Sequence, residues 1–120
     1  MNRIQRFGAS RRWADVVIHR GVARWVEVAE DAGLEARGQI GQVLAQIDAT
    51  LEQIGSDRTQ LLQVMIFLAN LNDAALLNEL WDAWVPAEHP PVRACVQAGL
   101  SAKLLVEMVI EAAVAPPADQ

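Results

Sequence analysis

The sequence predicts an α+β fold in which a mixed β-sheet carries two helices on one face. Three observations lead there. Two stretches have apolar residues at helical spacing, each is set off by strand-like runs, and paired strands stand at both ends of the chain. The resulting order is β-β-β-α-β-α-β-β. Its 120 residues suit one domain spanning 1–120, and an apolar fraction of 52% against a charged fraction of 21% is that of a packed globule.

Ile4 to Phe7 reads as a short strand closed by Gly8-Ala9-Ser10. The Val16-Val17-Ile18 run within Trp13 to His19 reads as a second. Arg20-Gly21 then supplies a two-residue turn into Val22 to Val28, which makes a hairpin. Asp31-Ala32-Gly33 breaks the pattern.

Between Leu34 and Ile54, the residues Ile40, Val43, Leu44, Ile47, Leu51 and Ile54 fall three and four apart and form one helical stripe. Gly38 and Gly41 weaken its first turns by about 1 kcal/mol each relative to Ala. Gly55-Ser56-Asp57 ends it. Thr59 to Asn70 is nearly unbroken in apolar character, which suits a strand covered on both faces. Asn72 or Asp73 is placed to cap a second helix with Leu77, Leu80, Trp81 and Trp84 as its stripe, and Pro86 stops it. Val92 to Ala98 and Leu104 to Val114 supply the last two strands. The tail from Ala115 to Gln120, with Pro116 and Pro117, is expected to be loose.

Both helices on one sheet face leave the other uncovered. Val16, Ile18, Met108 and Ile110 are expected there, and an apolar patch of that kind predicts a homo-oligomer.

No apolar run reaches membrane-spanning length, so no membrane partner is expected. The start of the chain lacks the apolar stretch of a secretory signal, and the lone Cys95 has no internal disulfide partner. Both predict a cytoplasmic setting. A net charge of −5 and a pI near 4.9 weigh against nucleic acid as a partner. The first 25 residues nevertheless hold six arginines against one acid, Asp15, so a local anion-attracting face is conceivable alongside the more ordinary solvated one.

The sequence has no phosphate-binding glycine loop, no His-Glu-x-x-His and no Cys-x-x-Cys. His19, His89 and Cys95 lie far apart, so no metal is expected. His19 reads as a strand-end residue and His89 as a loop residue before Pro90.

Strand alternation puts Arg93, Cys95 and Gln97 on one side and Val92, Ala94 and Val96 on the other. A guanidinium matches a carboxylate through a planar fork of donors, so Arg93 could hold a small organic acid. The commoner role for such an arginine is a structural ion pair with a glutamate. Glu107 interrupts an apolar run on the same side as Glu111. It is either solvated on an exposed face or held in a cleft, where it could handle protons. Cys95 is a small buried hydrophobe before it is a nucleophile, since only Arg93 could activate it.

Pro91, Arg93-Ala94-Cys95-Val96 and Gly99-Leu100, followed after five residues by Val106-Glu107-Met108, resemble the C-terminal signature of the RidA/YjgF family of reactive-intermediate (enamine/imine) deaminases. Arg12 to His19, Leu44 to Asp48, Ile66 to Ala69 and Trp81 to Val85 resemble its YoaB-like branch in particular. The likeness covers nearly the whole chain.

The resemblance implies a chorismate-mutase-like fold, a homotrimer with an inner barrel, and clefts between subunits. The implied reaction is hydrolysis of 2-imino or enamine acids to 2-keto acids and ammonia, without a cofactor. By the same likeness Arg93 grips the substrate carboxylate, backbone near Cys95 helps seat it, and Glu107 positions water. Asn78 is a further contact candidate. Two positions depart from the family pattern. Glu27 stands where family members carry a cleft-lining glycine, where it would crowd the pocket and could pair with Arg93. Trp13 lies near a position where deaminases often have tyrosine. A protein of this fold that binds small carboxylates without turning them over is therefore the alternative, and an RNA-acting protein a more distant one.

Overall fold

The computed structural model describes residues 3–115, so Pro116 to Gln120 of the expected loose tail lie outside the described residues. Six strands, β1 (Gln5–Phe7), β2 (Val16–His19), β3 (Val22–Val28), β4 (Leu61–Leu68), β5 (Val92–Gln97) and β6 (Val106–Ala113), form one sheet in the order β1-β2-β3-β6-β4-β5. Neighbours run antiparallel except β4 and β5, which are parallel. Helix α1 (Ala36–Gln53) joins β3 to β4, and α2 (Ala74–Trp84) makes the crossover between the parallel pair. The element order and the α+β class are those the sequence predicts.

Local chemistry explains the joints. The β2–β3 turn places Arg20 at φ 52° and Gly21 at φ 78°, the doubly left-handed geometry whose twist matches a hairpin. At the end of α1, Gly55 takes φ 74° while Ser56 N–H donates to Leu51 O at 2.8 Å, closing the helix with two of its last carbonyls satisfied. Capping before α2 differs from expectation. Asn70 accepts from the Asn72 N–H and caps a 3₁₀ turn, Leu71–Asp73, while Asp73 precedes α2 without a side-chain cap bond.

The core lies between the helices and one sheet face. Ile40, Val43, Ile47 and Leu51 of α1 and Leu77, Trp81 and Trp84 of α2 are buried against Val64, Ile66, Met108 and Ile110. Gly38 and Gly41 are accommodated within α1, whose packed stripe outweighs their propensity cost.

This corrects the expected composition of the open face. Met108 and Ile110 are fully buried beneath the helices, and Val16 and Ile18 pack against the same core. The opposite face instead carries Val26 and, on β5, Val92 and Val96, which are 53%, 69% and 42% exposed. Strand β4 is also covered on one side only: Val64, Ile66 and Leu68 are buried, whereas Met65 and Phe67 on the other side are half-buried. Among the described residues no helix is long and apolar enough to cross a membrane.

Candidate functional site

Arg93 projects from β5, the edge strand. Its register partner is Val64, a core residue, so its side chain leaves the sheet on the helix side. There the guanidinium carbon lies over the Trp81 ring, 5.4 Å from the centroid. The expected alternative, an ion pair with a glutamate, is not formed: no acid partners Arg93 among the described residues. Cys95 follows on the same side, half-buried beside Ile66. Burial pushes its thiol pKa up, and the nearby Arg93 charge opposes this only in part. That makes a resting thiol rather than an activated nucleophile. Asn78 lies one turn before Trp81 on α2 and is exposed.

Glu107 is placed otherwise. It pairs in register with Phe67 of β4 and Val28 of β3, which puts it on the open face with Glu111. Within one protomer Arg93 and Glu107 therefore occupy opposite faces of the sheet. They do not face each other. Glu111 is engaged by Arg24 at 3.4 Å, while Glu107 has no hydrogen-bond or ion-pair partner among the described residues.

Glu107 borders a cleft of about 770 Å³ beside β3, where β2 has ended and left the strand's edge uncovered. Trp13, Asp15, Trp25, Glu27 and Glu30 line it, together with Gln46 and Thr50 from α1 and Ser101 and Leu104 from the loop before β6. Three of the sequence-predicted residues, Trp13, Glu27 and Glu107, thus share one cleft. Arg93 and Cys95 lie together on β5 at the far edge, and Asn78 is exposed on α2. No group of three or more His, Cys, Asp and Glu is arranged to hold a metal ion among the described residues.

Glu27 does not pair with Arg93 in the protomer. Gln46 Nε2 donates to its Oε2 at 3.0 Å and Thr50 Oγ1 to its Oε1 at 2.9 Å, so the carboxylate is pinned to α1. These are two members of a polar row that the sequence reading missed. Gln46 also donates to Val28 O and accepts from Glu30 N–H, Gln42 accepts from Asp31 N–H, and Gln39 donates to Ala32 O and Leu34 O. Together they fasten the segment after β3 that walls the cleft. The signal was available: Gln39, Gln42, Gln46, Thr50 and Gln53 recur at spacings of three and four beside the apolar stripe.

Comparison with known proteins places these features. Residues 4–114 match the family model described as endoribonuclease L-PSP. The RutC family protein YoaB of Escherichia coli strain K12 is 49% identical over 112 residues, covering 92% of this chain and 98% of the relative. A RutC family protein of Haemophilus ducreyi is 34% identical over 113 residues, covering 92% and 97%. The crystal structure of NMB1025 from Neisseria meningitidis, a member of the YjgF protein family, superposes with a TM-score of 0.90 at 38% identity, over 96% of this chain and 98% of that one.

Proposed function

The chain belongs to the RidA/YjgF family, in its YoaB-like branch, and from that premise we propose that it hydrolyses reactive 2-imino and enamine acids to 2-keto acids and ammonia. The observation that carries this reading is the Arg93 guanidinium, held over Trp81 with no acid bound to it. A planar fork kept free of carboxylates inside the protomer is a ready receptor for one from a substrate.

The chemistry needs little else. An enamine gains a proton at carbon and becomes the imine. Water then adds to the imine carbon, and the carbinolamine collapses to a keto acid and ammonia. Arg93 neutralises and orients the acid, while Glu107 guides the water or supplies a proton to nitrogen.

Because Arg93 and Glu107 leave opposite faces of the sheet, one substrate meets both only where a second copy completes the cleft. A homotrimer satisfies this, with the exposed Val26, Val92 and Val96 face closed inside the assembly. No cofactor enters any step. A cytoplasmic setting is part of the proposal, resting on the lone cysteine.

A second reading, binding of small carboxylates without turnover, is favoured by one observation: Glu27 and Trp13 occupy the cleft where family members offer a glycine and a tyrosine hydroxyl. RNA is disfavoured at the cleft, which is lined by acids and by no Lys, Arg or His. The deciding assay generates 2-iminopropionate in situ and follows keto-acid release. Acceleration that disappears in Arg93→Ala supports the deaminase. No acceleration, or acceleration indifferent to that substitution, overturns it.

A further inference from the structure

Trp81 and Trp84 stand on the buried stripe of α2, where packing alone would ask of them only bulk. Their neighbours ask for more. Arg58, in the turn before β4, lies over the Trp84 ring with its guanidinium carbon 5.0 Å from the centroid, and Arg93 of β5 lies over the Trp81 ring at 5.4 Å. The two indoles meet at 5.4 Å, tilted by 45°. Two cations thus rest on one aromatic pair, but they are tied to it differently. Arg58 is clamped: Asp48 accepts from its Nε and Nη2, Trp84 O accepts from its Nη1, and Asp48 accepts from Trp84 Nε1 at 3.1 Å as well. Trp84 is therefore held at its ring face and at its nitrogen, and at 8% exposure it has little room to turn. Trp81, 6% exposed, packs against that fixed ring. Arg93 ends the row, stacked on Trp81 with no acid partner among the described residues.

We propose that Trp81 is a positioning residue for capture of the substrate carboxylate, and that the Asp48–Arg58 clamp on Trp84 fixes its ring from behind. This rests on the role given to Arg93 in the reading above and adds how the guanidinium is aimed. A ring face attracts a guanidinium without using its N–H donors, so the planar fork stays whole for a carboxylate. A long, flexible side chain otherwise loses rotamer freedom when it grips a ligand, and one already stacked loses less. The row runs from α1 through α2 to β5. Asp48, which is not in contact with Arg93, thereby bears on how tightly the substrate is held.

The test titrates the full chain with 2-oxobutanoate by calorimetry and measures KM and kcat for 2-iminopropionate generated in situ. Trp81→Leu removes the ring face and should weaken 2-oxobutanoate binding about fivefold, the size of a partly buried cation–π contact, with KM rising in step and kcat nearly unchanged. Trp81→Phe restores a ring face and should recover most of that binding. Asp48→Ala frees Trp84 at a distance and should weaken binding about threefold, with Arg93 and Trp81 both still present. Ile47→Val, a core change on α1 outside the row, controls for general loosening and should leave binding as it was. Thermal melting checks that each variant is folded, and should Trp81→Leu fail to fold, Asp48→Ala decides. Undiminished binding in folded Trp81→Leu or Asp48→Ala, equal weakness in Trp81→Leu and Trp81→Phe, or an equal loss in Ile47→Val overturns the inference. Arg93→Ala separates it from the reading beneath it. Undiminished binding in that variant sinks the carboxylate grip and the positioning role together, whereas a loss there with none in Trp81→Leu sinks the positioning role alone. Binding that follows the row in a chain that hydrolyses no imine sinks the deaminase and keeps the positioning role.

Discussion

The Arg93 guanidinium carbon rests 5.4 Å from the centre of the Trp81 ring, and among the described residues no acid pairs with it. Trp81 is itself held firmly: it is 6% exposed and meets Trp84 at a centroid distance of 5.4 Å with the rings tilted by 45°. Packing therefore aims the charge, and ion pairing leaves it unspent. An arginine so placed contributes little to folding and is free to contribute to binding.

Arg93→Ala is accordingly expected to lower stability by less than about 1 kcal/mol, the size of a partly exposed cation–π contact. Binding of keto acids should fall at least tenfold in the same protein. Arg93→Lys keeps the charge but loses the fork, so it should not restore binding. Thermal melts and calorimetry on both variants check this, and a large loss of stability in Arg93→Ala would show that the side chain is structural after all.

Cys95 offers a second check on the same strand. Burial raises its pKa more than the Arg93 charge lowers it. Alkylation by iodoacetamide at pH 8 should be slower than that of a free thiol and should accelerate as pH rises. Removing Arg93 removes the opposing charge, so the thiol should become still less acidic and the rate at a given pH should drop further. A faster reaction in Arg93→Ala would reverse the assigned sign.

Element order was legible because it rests on local patterns. The β3 limits, the α1 stripe and the Arg20-Gly21 turn are all written within a few residues of one another. Face assignment was harder. Alternation along β6 separates Met108 and Ile110 from Glu107 and Glu111, and the two acids could have marked the open side. The relation of Arg93 to Glu107 had no such marker. It depends on β4 lying between them, parallel to one strand and antiparallel to the other, with Val64 opposite Arg93 and Phe67 opposite Glu107. Pairings across 29 residues (64 to 93) and 40 residues (67 to 107) of chain leave no local trace. The family signature names both residues but cannot say which face each occupies.

One cluster outside the cleft ties three elements together. Arg58 grips Asp48 through Nε and Nη2, each at 2.8 Å, and donates through Nη1 to Trp84 O at 2.8 Å, while Trp84 Nε1 donates back to Asp48 at 3.1 Å. Asp48→Ala breaks three of these bonds. The two side chains are 41% and 35% exposed, so solvent moderates the loss, and about 2 kcal/mol is expected. Asp48→Asn should recover part of it. Urea unfolding of the two variants, with Arg58→Ala to complete a cycle, measures the coupling.

Acid should loosen the turn before β4. The Asp57 side chain accepts from both the hydroxyl and the N–H of Thr59, which hold its pKa below the ordinary carboxylate value. A group depressed in the folded state stabilises above its unfolded pKa and loses that contribution as pH falls through the folded one. The loss should thus begin below about pH 5 and continue past the unfolded value near 4. Asp57→Asn retains a capping oxygen but no titration, so its melting temperature should fall less steeply across that window. Parallel slopes for the two proteins would dismiss Asp57 as a contributor.

Among the described residues Gln39 is the fully buried polar side chain, and the cleft's far wall depends on it. Its Nε2 lies within hydrogen-bonding distance of Ala32 O, Leu34 O and Lys103 O, so two hydrogens serve three carbonyls, and its Oε1 accepts from Leu105 N–H at 2.9 Å. One amide thus joins the start of α1 to the loop whose Ser101 and Leu104 line the cleft. Gln39→Leu fills much the same volume but leaves the Leu105 N–H and those carbonyls without partners, which should cost about 3 kcal/mol. Gln39→Glu is expected to be worse, because a carboxylate oxygen would then face carbonyl oxygens in a buried site. Hydrogen exchange separates this role from simple core packing. If Gln39 is the staple, the Leu105 amide should lose protection in Gln39→Leu well before the amides of β4 do. If the two lose protection together, the side chain supports the core as a whole and does not hold the cleft loop in particular.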